Sequence, residues 1–518
     1  MKKFNPFFCA IIHFCISLKT DTMLAFRINE YTIKYIILKI IFAILLLCLW
    51  NFVFYIFKEV KAGNKWVRAG IIFFLWYWIL MSIIMLCIWP GNWIWDDIFI
   101  YEDAVGMWFN PWQHILTSVY YILSLMVIPI PAGIVICQYT IISGIVAVIL
   151  MECYKKFQSK KLVCFMYIPF FLFPVMAHNF YPLRLSLYAF LELFFLFQFY
   201  NCRDTAIKYP KKFWIRLVII NIILTTWRSE GIFFLILGPA LAFGKIRQQF
   251  EKKAIIIFSS IIFAGVIIIN GIQDFYIGEQ KNYYGLTAYI ESIDDLIKYE
   301  YLENPGSELL DLMSEKVDLE SIISESSGEK AFWNGAYAGL STSDDYTMMK
   351  EIYISLIKKH PLPWIQERLL TFLTTSACTP YSCAFVRNSS EINVPEFFND
   401  YILTEPINST LRKNVLNLLS GRTSSMDGVN IMYRIFYNII PSAIICFLGL
   451  FTCLRKRNYS KGICYFTLVL HFVLVFVAAP GVYFMYYLPI YLCGYVFLTY
   501  EYLNILYVRN YIKSERRL

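Results

Sequence analysis

Two adjacent carboxylates, Asp96 and Asp97, stand in the segment Trp89-Pro-Gly-Asn-Trp-Ile-Trp-Asp-Asp-Ile-Phe-Ile-Tyr-Glu-Asp103, among aromatic residues. A carboxylate packed in such surroundings has a raised pKa or holds a cation, and either suits base catalysis. On a helix Asp96 and Asp103 share a face, since seven residues make two turns. Acids in an exposed loop are as readily explained as solvated surface. Asn110-Pro-Trp-Gln-His114 follows, and His114 either donates to a phosphate or caps an aromatic cluster. In Thr226-Trp-Arg-Ser-Glu-Gly231, Arg228 and Glu230 either pair with each other or present a guanidinium fork to a phosphate. Arg184, in His178-Asn-Phe-Tyr-Pro-Leu-Arg184, fits the same role. Together these polar groups would suit a site that sets a carboxylate base beside a bound phosphate.

What must position them is a membrane. The chain has 518 residues, 58% hydrophobic and only 16% charged, with 19% aromatics and a mean hydropathy of +0.56. Soluble proteins average about 45–50% apolar and about 25% charged. A water-soluble enzyme is thereby excluded. The net charge of +9 does not point to nucleic acid, because Lys and Arg fall in short loops between apolar runs, as the positive-inside rule expects. Most of the 14 cysteines lie inside apolar segments and act as small hydrophobes. Cys378 and Cys383 alone could pair in an oxidising compartment.

The basic clusters set the topology. They are Lys58–Arg68, Lys155–Lys161, Arg203–Lys212, Lys245–Lys253, Arg455–Lys461 and the tail Arg509–Arg517. With all of them cytoplasmic, an even number of crossings separates each from the next. Trp66–Trp89 runs out and Ala132–Cys153 returns. Leu162–Met176 with Leu183–Tyr200, and Phe213–Thr226 with Gly231–Phe243, form hairpins. Ala254–Ile272 runs out, Tyr433–Cys453 returns, and Ile463–Ala479 with Tyr483–Leu503 closes the series. Ile33–Phe57 runs inward. His114–Val127 must then lie flat as an interfacial helix. The expectation is eleven spanning helices, or twelve if Phe7–Leu18 belongs to a further crossing.

Three regions follow. Residues 1–272 form a membrane module whose first outer loop, 90–131, carries the acids. Residues 273–432 form a mainly helical extracytoplasmic domain, and residues 433–518 form the last spanning helices and a cytoplasmic tail. The middle region holds 23 of the 37 acids against 12 of the 46 basic residues, inverting the charge of the rest. Helical patterns stand at Leu309–Ser324 and Tyr346–Ser376.

Asp96-Asp97, followed by Pro111 and His114, then Arg228-Ser-Glu-Gly231, and later Lys358-Lys-His-Pro361 with Arg368, resemble the GT-C superfamily of polytopic membrane glycosyltransferases. The likeness is closest to the bacterial branch similar to protein mannosyltransferases and lipid A aminoarabinose transferases, and spans most of residues 66–503. Two departures stand out. The second outer loop has no acid, and Tyr486-Tyr-Leu-Pro489 has Tyr where many members have Arg. The resemblance implies an all-α, GT-C-like bundle in the cell membrane. It implies an inverting transferase that moves a sugar from a polyprenyl-phosphate donor to an extracytoplasmic lipid, glycan or protein. Asp96 would be the base; Asp97 would orient it or, with it, hold a divalent cation, magnesium or manganese. Asp103, His114, Arg184, Arg228 and Glu230 would bind substrate. A lipid-linked oligosaccharide flippase and a polysaccharide polymerase or ligase are the rivals. The first normally carries mid-membrane polar residues and internal repeats, whereas mainly Glu192 and His471 stand within spans here and no repeat is seen.

Overall fold

Apolar runs uninterrupted by Pro become long helices, and the caps that start them are short polar side chains. In the computed structural model, which describes residues 5–26, 32–201, 210–249, 253–278, 283, 285–379, 403–420 and 431–515, every regular element is a helix. The first half contains α1 (Pro6–Thr20), α2 (Ile33–Lys61), α3 (Lys65–Cys87), α4 (Trp95–Val105), α5 (Ile115–Val127) and α6 (Pro131–Phe157). It continues with α7 (Lys160–Cys164), α8 (Phe173–His178), α9 (Arg184–Tyr200), α10 (Lys211–Thr226), α11 (Phe234–Gln249) and α12 (Lys253–Ile277). Asn5, Thr32 and Asn64 cap α1, α2 and α3 by accepting backbone N–H groups of the first turn.

The acidic stretch folds into α13 (Ile290–Glu303), α14 (Glu308–Ser314), α15 (Leu319–Ser324), α16 (Gly328–Trp333), α17 (Ser343–Lys359), α18 (Pro361–Thr375) and α19 (Ser409–Ser420). After it come α20 (Ile431–Phe436), α21 (Ile440–Arg455), α22 (Tyr459–Ala478) and α23 (Leu488–Glu515).

Seven of these stretches are long and apolar enough to cross a membrane: α1 with its π-turn to Ala25, α2, α3, α6, α12, α20 with α21, and α22. The protein is therefore an all-α, multi-pass membrane protein. The apolar run Phe7–Leu18 is one of the seven, as part of a 20-residue helical stretch. Leu162–Met176, expected as one span, is instead α7, a 3-10 turn (Phe165–Phe171) and α8. Pro169 and Pro174 lack the N–H groups that a continuous ladder needs. Between this broken segment and α3 runs an apolar groove of about 540 Å³, lined by Trp76, Tyr167 and Phe171, with Lys160 at its edge.

α3 packs along α6, α21 on α22 and α23, α23 on α9, and α10 on α11 and α12. α2 and α12 leave whole rows bare, including Ile36, Ile40 and Ile44 on one and Ile257, Ile261 and Ile268 on the other. Such rows suit contact with lipid chains. Inside the bundle, His471 Nδ1 lies 3.0 Å from Glu192 Oε2, with both side chains fully enclosed.

The acidic unit has its own core over residues 286–356, separate from that of the membrane helices. α13 is its hub, touching α15, α16, α17 and α18. The boundary lies a little later than residue 272, since α12 continues to Ile277. α19 belongs with the membrane helices: Leu416 and Leu419 sit in the main core, and the helix packs on α3 and α8.

Two enclosed arginines reach the backbone just past the ends of α3 and α22. Arg412 Nη1, from α19, donates to Ile88 O at 2.5 Å and Gly91 O at 2.9 Å, beyond the last turn of α3. Gly91 has φ +114 there, and a Cβ would stand 2.9 Å from Val135 Cγ2. Arg368 Nη1, from α18, donates to Ala479 O at 2.8 Å, just past α22. Ile88 O also accepts from Gly91 N at 2.9 Å, whereas carbonyls at a helix end generally need a partner from outside the helix. Arg412 thus ties the segment after α3 to α19, and Arg368 ties the segment after α22 to α18 of the acidic unit. Arg412→Met should leave Gly91 O without this donor and destabilise the protein by about 1–3 kcal/mol. It should show as a lowered thermal midpoint in detergent, with Arg412→Lys recovering part of the loss. An unchanged midpoint for the Met variant would mean that water replaces the guanidinium.

Candidate functional site

The first loop folds back as α4, and adjacent helical residues point about 100° apart. That angle separates the two acids. Asp96 is exposed, whereas Asp97 is fully buried. Asp97 accepts from Ile94 N at 3.4 Å and from Tyr121 OH at 3.2 Å. Burial, and next the charge of Asp96, push its carboxyl well above the usual carboxylate range. Asp97 thus caps α4 and ties it to α5, and its oxygens are turned away from the surface that Asp96 faces. Among the described residues no three His, Cys, Asp or Glu side chains come together as a metal site would require.

Asp103 is half-buried and accepts from Asn110 Nδ2 at 2.7 Å. Burial raises its pKa, and the Asn110 bond works against that rise. His114 is the N-cap of α5, with Nδ1 accepting from Leu116 N at 3.3 Å. This helix-capping role differs from both roles that the sequence leaves open to His114. α5 is 13 residues long, too short to cross a membrane, and it packs on α2, α4 and α6.

α5 also reaches the second polar tip. Trp227 Nε1 donates to Thr117 Oγ1 at 3.0 Å, and Arg184 Nη1 donates to Trp227 O at 3.0 Å. Arg184 therefore braces the turn that carries Arg228. Arg228 itself is buried and pairs with Glu230, while Ser229 Oγ lies 3.2 Å from the other Glu230 oxygen. The turn closes tightly: a Cβ on Gly231 would stand 2.0 Å from Leu224 O and 2.6 Å from Tyr188 OH. Only glycine fits.

Arg228 is sandwiched by aromatic rings. Its guanidinium carbon lies 5.1 Å from the Tyr486 ring centroid and 5.6 Å from that of Tyr188. Such contacts favour a cation where water is scarce. Tyr486 occupies the place where Tyr stands instead of the Arg expected from the resemblance. Its neighbour Tyr483, ring centroids 6.1 Å apart, donates its hydroxyl to Glu329 of α16. Burial, and next the charge of Glu329, push the Tyr483 phenol up, and the charge of Asp96 adds a minor push in the same direction.

The assembled site thus joins Asp96 from the first loop, Arg228 and Glu230 from the 226–231 turn, Tyr483 and Tyr486 from the turn before α23, and Glu329 from the acidic unit. Asp97, Asp103, His114 and Arg184 act behind these groups as braces. Sequence reasoning missed Glu329, Tyr483 and Trp112. Trp112 meets Tyr283 and Phe332 edge-on and Trp333 at a tilt, ring centroids 5.5–6.4 Å apart, pinning α16 to the first loop. The chain matches no known family model, no curated protein and no solved structure.

Glu291 holds the start of α16, accepting from Gly328 N and Glu329 N at 3.1 Å each. Desolvation outweighs both bonds and raises its pKa from the usual 4.5 to about 7. A carboxyl whose folded pKa is raised contributes most stability below its ordinary value, and loses it as pH climbs to the folded value. The thermal midpoint of the acidic unit should accordingly fall between pH 4.5 and about 7, and Glu291→Gln should flatten that limb. A limb equally steep in the Gln variant would assign the slope to other carboxyls, such as Asp294.

Proposed function

We propose that the protein is an inverting membrane glycosyltransferase that takes a sugar from a polyprenyl-phosphate donor. The observation that carries this reading is the buried Arg228 guanidinium against Tyr486, one turn from Tyr483, whose hydroxyl feels the charge of the exposed acid Asp96. Asp96 would take the proton of the acceptor hydroxyl. The oxygen would attack the anomeric carbon from the face opposite the phosphate, and the carbon–oxygen bond to phosphate would break with its electron pair leaving on phosphate. Arg228, desolvated and flanked by Tyr486 and Tyr188, would meet that growing charge. A divalent cation, magnesium or manganese, would be held by Asp96 and would supply positive charge to the donor phosphate, Asp97 being turned inward. The groove along α3 suits a prenyl chain.

In this reading the bundle is GT-C-like, with eleven or twelve crossings in the cell membrane. The acidic unit lies outside and the tail after Val508 inside. The acceptor is an extracytoplasmic lipid, glycan or protein, and nucleic acid has no part. Cys378 is exposed, so an impermeant maleimide should label it in intact cells of a Cys383→Ser strain and not in Cys378→Ser controls. Labelling only after permeabilisation would invert the topology and remove the geometry of the reaction.

Asp96→Asn should lower transfer by about 10²–10⁴-fold, the usual contribution of a general base, measured by loss of the lipid-linked donor with the protein level checked. Asp97→Asn should keep most turnover and lower the thermal midpoint instead, because the amide still accepts the Ile94 N–H. Full activity in Asp96→Asn would take the first loop out of the mechanism.

A further inference from the structure

The acidic unit reaches the centre of the site through one side chain. Glu329 sits on α16, whose N–H groups are held by Glu291 and whose Phe332 and Trp333 pack on Trp112. Its carboxylate accepts from Tyr483 OH. Tyr483 opens a 3-10 turn (Phe484–Tyr487), and Tyr486 N donates to Tyr483 O at 3.3 Å. In 3-10 geometry residues three apart lie one above the other, so Tyr483 and Tyr486 move together. Tyr486 covers the Arg228 guanidinium at 5.1 Å. From outside, Arg368 fixes the start of the same stretch through Ala479 O.

We propose that Glu329 is a positioning residue: by holding Tyr483 it sets Tyr486 against Arg228, and so makes the affinity of the phosphate site depend on the acidic unit. The inference rests on the reading of Arg228 as the donor-phosphate group. Its chemistry is positional, because Glu329 bonds the phenol and not the cation. A neutral side chain with the same accepting oxygen should therefore serve nearly as well as the carboxylate.

The test titrates a polyprenyl phosphate into the full-length protein in phosphatidylcholine nanodiscs and reads affinity and thermal midpoint together. Glu329→Ala should weaken binding by about three- to tenfold, the effect of one net hydrogen bond, with the midpoint unchanged. Glu329→Gln should restore most of the affinity, since its carbonyl oxygen still accepts from Tyr483. Tyr483→Phe should match Glu329→Ala, and the double variant should be no weaker than either single one, as expected of residues acting through one contact. Arg228→Lys should lose binding more severely. Wild-type affinity in Glu329→Ala beside loss in Arg228→Lys would overturn the inference and leave the donor reading intact. Full additivity in the double variant, or a Gln variant as weak as Ala, would likewise overturn it. Failure of the wild-type protein to bind the polyprenyl phosphate would sink the donor reading and this inference with it.

Discussion

The carbonyls just past the ends of α3 and α22 govern how the two loops are gathered. A spanning helix satisfies its own backbone except at its termini, and a terminus covered by protein has no water to turn to. α3 ends against α19, which supplies Arg412, and α22 ends against α18 of the acidic unit, which supplies Arg368. A guanidinium suits the task because its several N–H groups can reach more than one carbonyl at once. These contacts bring the two stretches that follow, residues 88–97 and 479–487, under one cover. The site is assembled from what those stretches carry.

The site also divides its labour by burial. Asp96 and Asp97 are neighbours in sequence, yet one faces outward and the other is enclosed as a cap with Tyr121. Arg184 bonds a backbone carbonyl, while Arg228, a similar side chain on a nearby turn, sits between two tyrosine rings. Groups of the same chemical type thus meet different partners according to what encloses them, which residue type and spacing alone do not reveal.

The long apolar helices were legible, because Ile, Leu and Phe runs of the right length admit no other solvent. α2, α3, α6, α12 and α22 appear within a few residues of their expected bounds. The inverted charge marked the acidic unit, and its helices break about Pro305 and His360-Pro361. Leu162–Met176 went wrong since hydropathy ignores the N–H groups missing at Pro169 and Pro174. Glu329 was illegible for a different reason. One acid among many in an acidic stretch carries no periodic signal, and its partner Tyr483 lies 154 positions later. Cys383, which sequence reading placed beside Cys378 as a possible partner, lies outside the described residues.

The enclosed pair of Glu192 and His471 bears on how the chain is built. The two residues are separated by 279 positions, so a ribosome completes α9 long before α22 exists. Until then the Glu192 carboxyl has no imidazole beside it, and an acid held in a bilayer costs on the order of 3 kcal/mol. The pair is completed only once α22 has joined the bundle, so a chain cut before residue 471 would leave the enclosed Glu192 carboxylate without its imidazole neighbour.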